Sequence, residues 1–257
     1  MSVFVTGDIH GKFFSLLRVK EHPSLKEEEL TKEDFLIVCG DFGIWHNTEE
    51  EFSELNELAK ENFNICFVDG NHENFDRLYS DEFEIVDFHG GRAHKIRDNI
   101  YHLMRGYIFD FCGKSFFCFG GASSHDIQDG ILDIKDFESK EELFNKASLM
   151  RFFGQRVRIN HQSWWKEELP SQEEMDFGWN NLKNHNFKVD YIITHCAPQN
   201  IASFMSCGKY EKDSLTEYFD KVMHRVSFSK WFFGHYHMSE KVFDNFQVLY
   251  REFFRVC

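Results

Sequence analysis

Eight side chains in this sequence are of the types that hold a cation or move a proton, and each stands just after a short apolar run. Asp8 and His10 follow residues 3–6, Asp41 follows 36–39, Asn71 and His72 follow 65–68, His195 follows 191–194, and His235 and His237 follow 231–233. Carboxylate, imidazole and amide together form a mixed oxygen and nitrogen donor set, which suits Mn, Fe or Zn. The chain has a reason to recruit such ions. Lys and Arg number 29 against 43 Asp and Glu, a formal charge of −14. An anionic substrate would need a local positive charge that this composition does not supply, and a bound metal ion provides one.

The runs that carry these residues are apolar at successive positions, as expected of central strands covered on both faces. Between them lie amphipathic helical stretches, so the pattern is that of an α/β protein. Ligand sites of such sheets lie beyond the carboxyl ends of the strands, so residues more than two hundred positions apart can converge there. Glycines at 7, 40, 70 and 234 permit close turns just before the reactive groups. A helix is expected from Thr48, and S-x-x-E capping boxes at Ser171 to Glu174 and Ser214 to Glu217 open two more. Strands are expected at 100–104, 107–111 and 115–119, the last two joined as a hairpin through Cys112-Gly113-Lys114. Residues 123–170 break the rhythm: a polar loop over 124–135, a helix over 138–153, then a segment containing Trp164-Trp165 that reads as packing. This stretch is expected to be a cap or insertion within one domain spanning 1–257, since no linker or repeat divides the chain. The acidic runs 27–29 and 49–51 read as solvated helix faces.

In order along the chain, Asp8-Ile9-His10, Gly40-Asp41, Gly70-Asn71-His72-Glu73, His195 and Gly234-His235-Tyr236-His237 resemble the motifs of the calcineurin-like metallophosphoesterases. The resemblance implies two β-sheets packed face to face and flanked by helices, a four-layer α-β-β-α sandwich. It also implies a binuclear centre, with Asp8, His10 and His237 on one ion, Asn71, His195 and His235 on the other, and Asp41 bridging. Manganese is the ion to try first in vitro. Two ions about 3.5 to 4 Å apart can activate a bridging water and neutralise phosphoryl oxygens during in-line displacement. His72 is implied to stabilise the transition state or protonate the leaving oxygen.

The sequence departs from its relatives after the second motif. The serine/threonine phosphoprotein phosphatase and diadenosine tetraphosphatase branches continue as G-D-x-x-D-R-G, whose Asp orients the catalytic His and whose Arg grips phosphate. Here the chain reads Gly40-Asp41-Phe42-Gly43-Ile44-Trp45-His46, with neither group. Replacement contacts are sought in Ser124 and His125, which leave a strand end behind Gly120-Gly121, and then in His46, Arg105 and His161.

The expected activity is hydrolysis of a phosphodiester or phosphomonoester bond in a small, nucleotide-like substrate. The alternatives are a protein phosphatase or dinucleoside-polyphosphate hydrolase and, from another class, a metal-binding scaffold without turnover. The net charge argues against long nucleic acids as partners. No stretch of about 18 apolar residues could span a membrane. Oligomeric state has no sequence signal. Seven cysteines include no C-x-x-C pair, and Cys39, Cys66 and Cys118 lie in apolar runs. They read as buried thiols in a reducing compartment, and with no leader-like segment at residue 1 a cytoplasmic location is expected.

Overall fold

A computed structural model describes residues 1–26 and 28–257; Glu27, part of the first acidic run, lies outside the described residues. The strands are β1 Val3–Thr6, β2 Phe35–Val38, β3 Asn64–Phe67, β4 Glu84–Phe88, β5 Gly91–Arg97, β6 Ile100–Leu103, β7 Tyr107–Phe111, β8 Lys114–Phe119, β9 Ile131–Leu132, β10 Arg158–Ile159, β11 Tyr191–Thr194, β12 Lys230–Phe233, β13 Glu240–Phe243, β14 Phe246–Val248 and β15 Phe254–Arg255. The α-helices are α1 Glu49–Leu58, α2 Phe75–Leu78, α3 Lys140–Phe152, α4 Gln172–Asn184, α5 Gln199–Ser206 and α6 Ser214–Arg225. One sheet runs β15-β1-β2-β3-β6-β5-β4 and the other β13-β14-β12-β11-β8-β7. β1, β2 and β3 are mutually parallel, as are β11 and β12, so the two groups of strands deliver their carboxyl ends to one rim.

Alternation along each strand explains why both faces are apolar. Val3 and Val5 of β1, Phe35 and Ile37 of β2, Phe116 and Cys118 of β8, Ile193 of β11 and Phe232 of β12 form the core between the sheets. Phe4, Leu36 and Val38 point the other way, onto Leu55 and Leu58 of α1 and onto Phe13, Leu16 and Val19 of a 3-10 helix. Ile192, Trp231 and Phe233 likewise pack outward against Leu182 of α4 and Leu215, Phe219 and Val222 of α6. Sheet on sheet with helices outside is thus the four-layer sandwich.

Local chemistry sets the element ends. Thr48 caps α1 by accepting from the Glu51 backbone N–H, and Ser171 and Glu174 close both arms of a capping box on α4. The sixth helix starts one residue from the expected place: Asp213, not Ser214, is the cap, accepting from Leu215 and Thr216 backbone N–H groups, with Thr216 in place of Glu217 as its reciprocal partner. The β7–β8 turn has positive φ at both Cys112 and Gly113, the geometry of a tight hairpin. The second acidic run is not wholly solvated. Glu51 is buried, accepting from the Trp45 and His46 backbone N–H groups and pairing with Arg77 Nη1 at 2.5 Å.

Cys39, Cys66 and Cys118 are the buried free thiols expected of them, and Cys112 and Cys257 depart from the thiol reading. Cys112 and Cys257 are joined by a disulfide across 145 residues, tying the β7–β8 turn to the chain beyond β15. Cys39, Cys66, Cys118 and Cys196 are buried free thiols, and Cys207 is exposed. Among the described residues no helix is long and apolar enough to cross a membrane.

Residues 123–170 hold structure that the expected polar loop did not include. β9 and β10 pair in parallel, and Leu143 and Ala147 of α3 pack with Ile159, flanked by Leu132 and Phe137, as a small core of their own. Trp165 instead joins the main core and packs edge-on against Trp45 at 5.2 Å.

Candidate metal centre

Asp8 sits just past β1, fully enclosed, and its carboxylate accepts from the His235 backbone N–H at 2.9 and 3.1 Å. His237 Nε2 lies 3.3 Å and His10 Nε2 3.8 Å from the same carboxylate. Asp41, past β2, has His195 Nε2 at 3.3 Å, His10 Nδ1 at 3.6 Å and the backbone N–H of His72 donating at 2.8 Å. Asn71 Oδ1 is 3.3 Å from His195 Nε2. The structure therefore brings Asp8, His10, Asp41, Asn71, His72, His195, His235 and His237 together from five strand ends. Donor atoms of Asp8, His10 and His237, of His10, Asp41 and His72, and of Asp8, Asp41 and His195 form three mutually close groups.

Tight backbone makes this convergence possible. A Cβ on Gly70 would collide with Asp41 Oδ1, and one on Gly234 with Asp8 Oδ1. His10, Asp41, His235 and His237 all adopt positive φ, a conformation that costs a side-chain-bearing residue energy and that clusters at functional sites. Glu73 holds the loop after Asp41 in shape. Its buried carboxylate accepts from the backbone N–H groups of Phe42, Gly43 and Ile44.

Electrostatics are strongly coupled here. Burial disfavours the charge on Asp41, yet His195 and the other imidazoles hold its carboxyl well below the ordinary range. Burial opposes charge on His195 too, but Asp41 and Asp8 raise it to about 10. Its Nδ1 donates to the Cys39 carbonyl at 2.7 Å, which aims Nε2 at Asp41 and Asn71. Burial, with Arg158 and neighbouring imidazoles, draws His72 down to about 4 against the pull of Asp41.

The donor set fits divalent cations. His10 Nε2 and His237 Nε2 face each other at 2.9 Å, and His235 Nε2 faces His125 Nε2 at 2.7 Å. One proton joins such a pair as a hydrogen bond between one N–H and the other ring's lone pair, whereas a cation among them uses both lone pairs and the carboxylates together.

The residues sought as substrate contacts divide. Ser124 lies beneath Asn71, accepting from its Nδ2 at 3.3 Å, and His125 stands against His235. His46 borders a cleft of about 260 Å³ that His10, Trp45 and His72 also line. Arg105 is a correction. It is buried behind the site, where Nη2 bonds Asp69 at 2.5 Å and Nε bonds it at 3.0 Å, with His102 on the other carboxylate oxygen. A guanidinium so placed anchors the chain just past β3 through Asp69, behind the candidate ligands. His161 is exposed and paired with Asp76 at 2.9 Å, and Trp165 Nε1 donates to the same carboxylate.

Sequence reasoning missed Arg158. It projects from β10, buried, with Nη2 3.2 Å from His72 Nε2, Nη1 donating to the Ser163 carbonyl and Nε paired with Asp126 at 2.5 Å. No spacing signal links residues 86 apart, so only the fold reveals that a guanidinium stands beside His72. Glu168 was missed as well. It receives the Ser124 backbone N–H at 2.8 Å and the Ser124 hydroxyl at 2.6 Å, so Asn71, Ser124 and Glu168 form a chain that orients the Asn71 amide.

Glu168 supplies a stability test. Its burial raises the carboxyl from 4.5 to about 7, against the lowering effect of the Ser124 bonds. Between those pH values the folded state alone holds the proton. This contribution is therefore fully present below about 4.5 and lost as pH rises through 7, by roughly 3 kcal/mol. Glu168→Gln, which keeps an acceptor for Ser124 but cannot ionise, is expected to gain stability relative to the wild type between pH 5 and pH 8. Urea midpoints at both pH values measure the gap, and a gap that does not change with pH would disprove the assignment.

No curated protein shows significant sequence similarity to the chain. Among solved structures, a phosphopantetheinyl hydrolase from Mycobacterium tuberculosis is similar at 14% identity and a TM-score of 0.47, covering 97% of this chain and 88% of that one. The sequence model of the calcineurin-like phosphoesterases matches residues 1–239, which takes in every one of the five strand ends from Asp8 to His237. With that match and the sandwich that assembles those residues, the chain belongs to the calcineurin-like phosphoesterase family and is a metal-dependent hydrolase of phosphate esters.

Proposed function

We propose that the protein hydrolyses a phosphodiester or phosphomonoester bond of a small, nucleotide-like substrate with two divalent ions, manganese serving in vitro. The supporting observation is the cleft of about 260 Å³ walled by His10, Trp45, His46 and His72, beside which the insertion places Arg158. A space of that size suits a small ester with an aromatic portion against Trp45.

Asp8, His10 and His237 would hold one ion, Asn71, His195 and His235 the other, and Asp41 both. When bound, the ions supply Lewis acidity towards phosphoryl oxygens and lower the pKa of water. Arg158 takes the place of the absent motif arginine, offering a planar, permanently charged donor to non-bridging phosphate oxygens. His72, its backbone fixed by Asp41 and its ring by Arg158 and Trp45, faces the leaving oxygen. Ser124 and Glu168 keep the Asn71 carbonyl aimed inward, and His125 stands against His235.

The test combines elemental analysis with hydrolysis of bis-p-nitrophenyl phosphate and p-nitrophenyl phosphate in added Mn²⁺. Two ions per chain and turnover of either ester are expected, and the ratio of the two rates assigns diester or monoester preference. A metal-loaded protein that turns over neither ester would overturn the catalytic reading in favour of a scaffold.

A further inference from the structure

A second cavity, of about 250 Å³, shares His10 with the aromatic cleft and is lined by Asp8 as well. Its wall includes Lys12, Arg18 and Arg251. Among the described residues, none of these three cations has an ion-pair partner, although the chain carries 43 carboxylates. Asp8 is the one acidic residue in the lining, and it is committed to His235 and His237. The cavity is coupled to the metal centre through a stack. The Tyr250 ring lies on His237 at 4.7 Å and 23°, and the Arg251 guanidinium lies over the Tyr250 ring at 4.8 Å.

Lys12, Arg18 and Arg251 are exposed and border one cavity, and in a chain of net charge −14 such a grouping is a local exception to the field of the whole protein. An anion seated between them gains charge-assisted hydrogen bonds. We propose that this cavity receives a second phosphate-type group of the substrate, with His10 shared between it and the cleft that holds the portion against Trp45 and His46. This rests on the proposed function for the position of the scissile phosphate, and it narrows the substrate class to molecules with at least two phosphate-type anions. The second group could be joined through an anhydride or carried on a separate ester, and the two differ in the spacing of their phosphorus atoms.

Phosphonates that cannot be hydrolysed separate the cases. Binding of methylphosphonate, methylenediphosphonate and propane-1,3-diphosphonate to the Mn²⁺-loaded protein is measured by titration calorimetry, in the wild type and in Lys12→Gln/Arg18→Gln/Arg251→Gln. At least one diphosphonate is expected to bind the wild type about tenfold or more tightly than methylphosphonate, and the triple substitution to bring that ratio near one. Preference for the methylene spacing assigns an anhydride, and preference for the propane spacing assigns separate esters. The single Arg251→Lys variant, which keeps the charge, should retain most of the ratio and shows that a loss in the triple variant is electrostatic. A wild-type ratio near one, or a ratio the triple variant preserves, overturns the proposal. Failure of ester turnover would instead strike the proposed function, since calorimetry with inert ligands does not require it.

Discussion

The Asp41→Asn variant is expected to lose the two metal ions proposed above, and activity with them, while keeping its fold. Asp41 is buried and stands between His10, His195 and the His72 backbone N–H, so its carboxylate touches side chains assigned to each ion. An asparagine preserves the acceptor for His72 N–H, so the loop keeps its shape. It removes the negative charge that two neighbouring cations would share. Groups that only orient a ligand cost about 10- to 100-fold in metal affinity, so loss of a shared ligand should exceed about 100-fold. Elemental analysis after dialysis, with the kcat of the variant in added Mn²⁺, measures both. A variant that retains two ions per chain would overturn the bridging assignment.

Arg158→Ala is expected to lower kcat/KM by about 10³-fold with metal content unchanged. The size follows from comparison with arginines that stabilise charge in phosphoryl transfer, which contribute about 10³ to 10⁵. Arg158→Lys should recover only part of the loss, because an ammonium cannot make the two parallel contacts of a guanidinium. Since Arg158 Nη2 touches His72 Nε2, the effects of Arg158→Ala and His72→Asn should be less than additive. An Arg158→Ala enzyme within about fivefold of the wild type would show that the arginine only braces the insertion.

The positions of the candidate ligands were legible because each is written locally. An apolar run, a glycine or other turn residue and a donor side chain follow one another within a few positions, and the parallel register of β1, β2 and β3 then carries all three to the same rim. Groups that reach the site from far away left no such trace. Arg158 and Glu168 come from the insertion, where β9 and β10 are two residues each and too short for a periodic pattern. The hairpin of β4 and β5 was illegible for another reason. β4 reads Glu-Ile-Val-Asp-Phe and is largely exposed, so its alternation does not stand out from loop composition. Arg105 shows the converse error, since a cation near a strand end looks like a phosphate ligand until its partner Asp69 is seen. The start of α6 was misplaced by one residue because Asp213 and Ser214 are both good caps, and only the geometry selects the one that reaches two backbone N–H groups.

The small core of the insertion bears on time as well as on space. Its fully buried apolar side chains are Leu143, Ala147 and Ile159, whereas the ligands near Asp8 and Asp41 stand on strands buried in the main sandwich. Local opening free energies scale with buried apolar contact, so this unit opens far more often than the sheets unfold. Arg158 thus takes its place from this lightly packed unit, whereas the candidate ligands take theirs from the sandwich, so a change that loosens Leu143 or Ile159 should disturb the arginine before it disturbs the ligands.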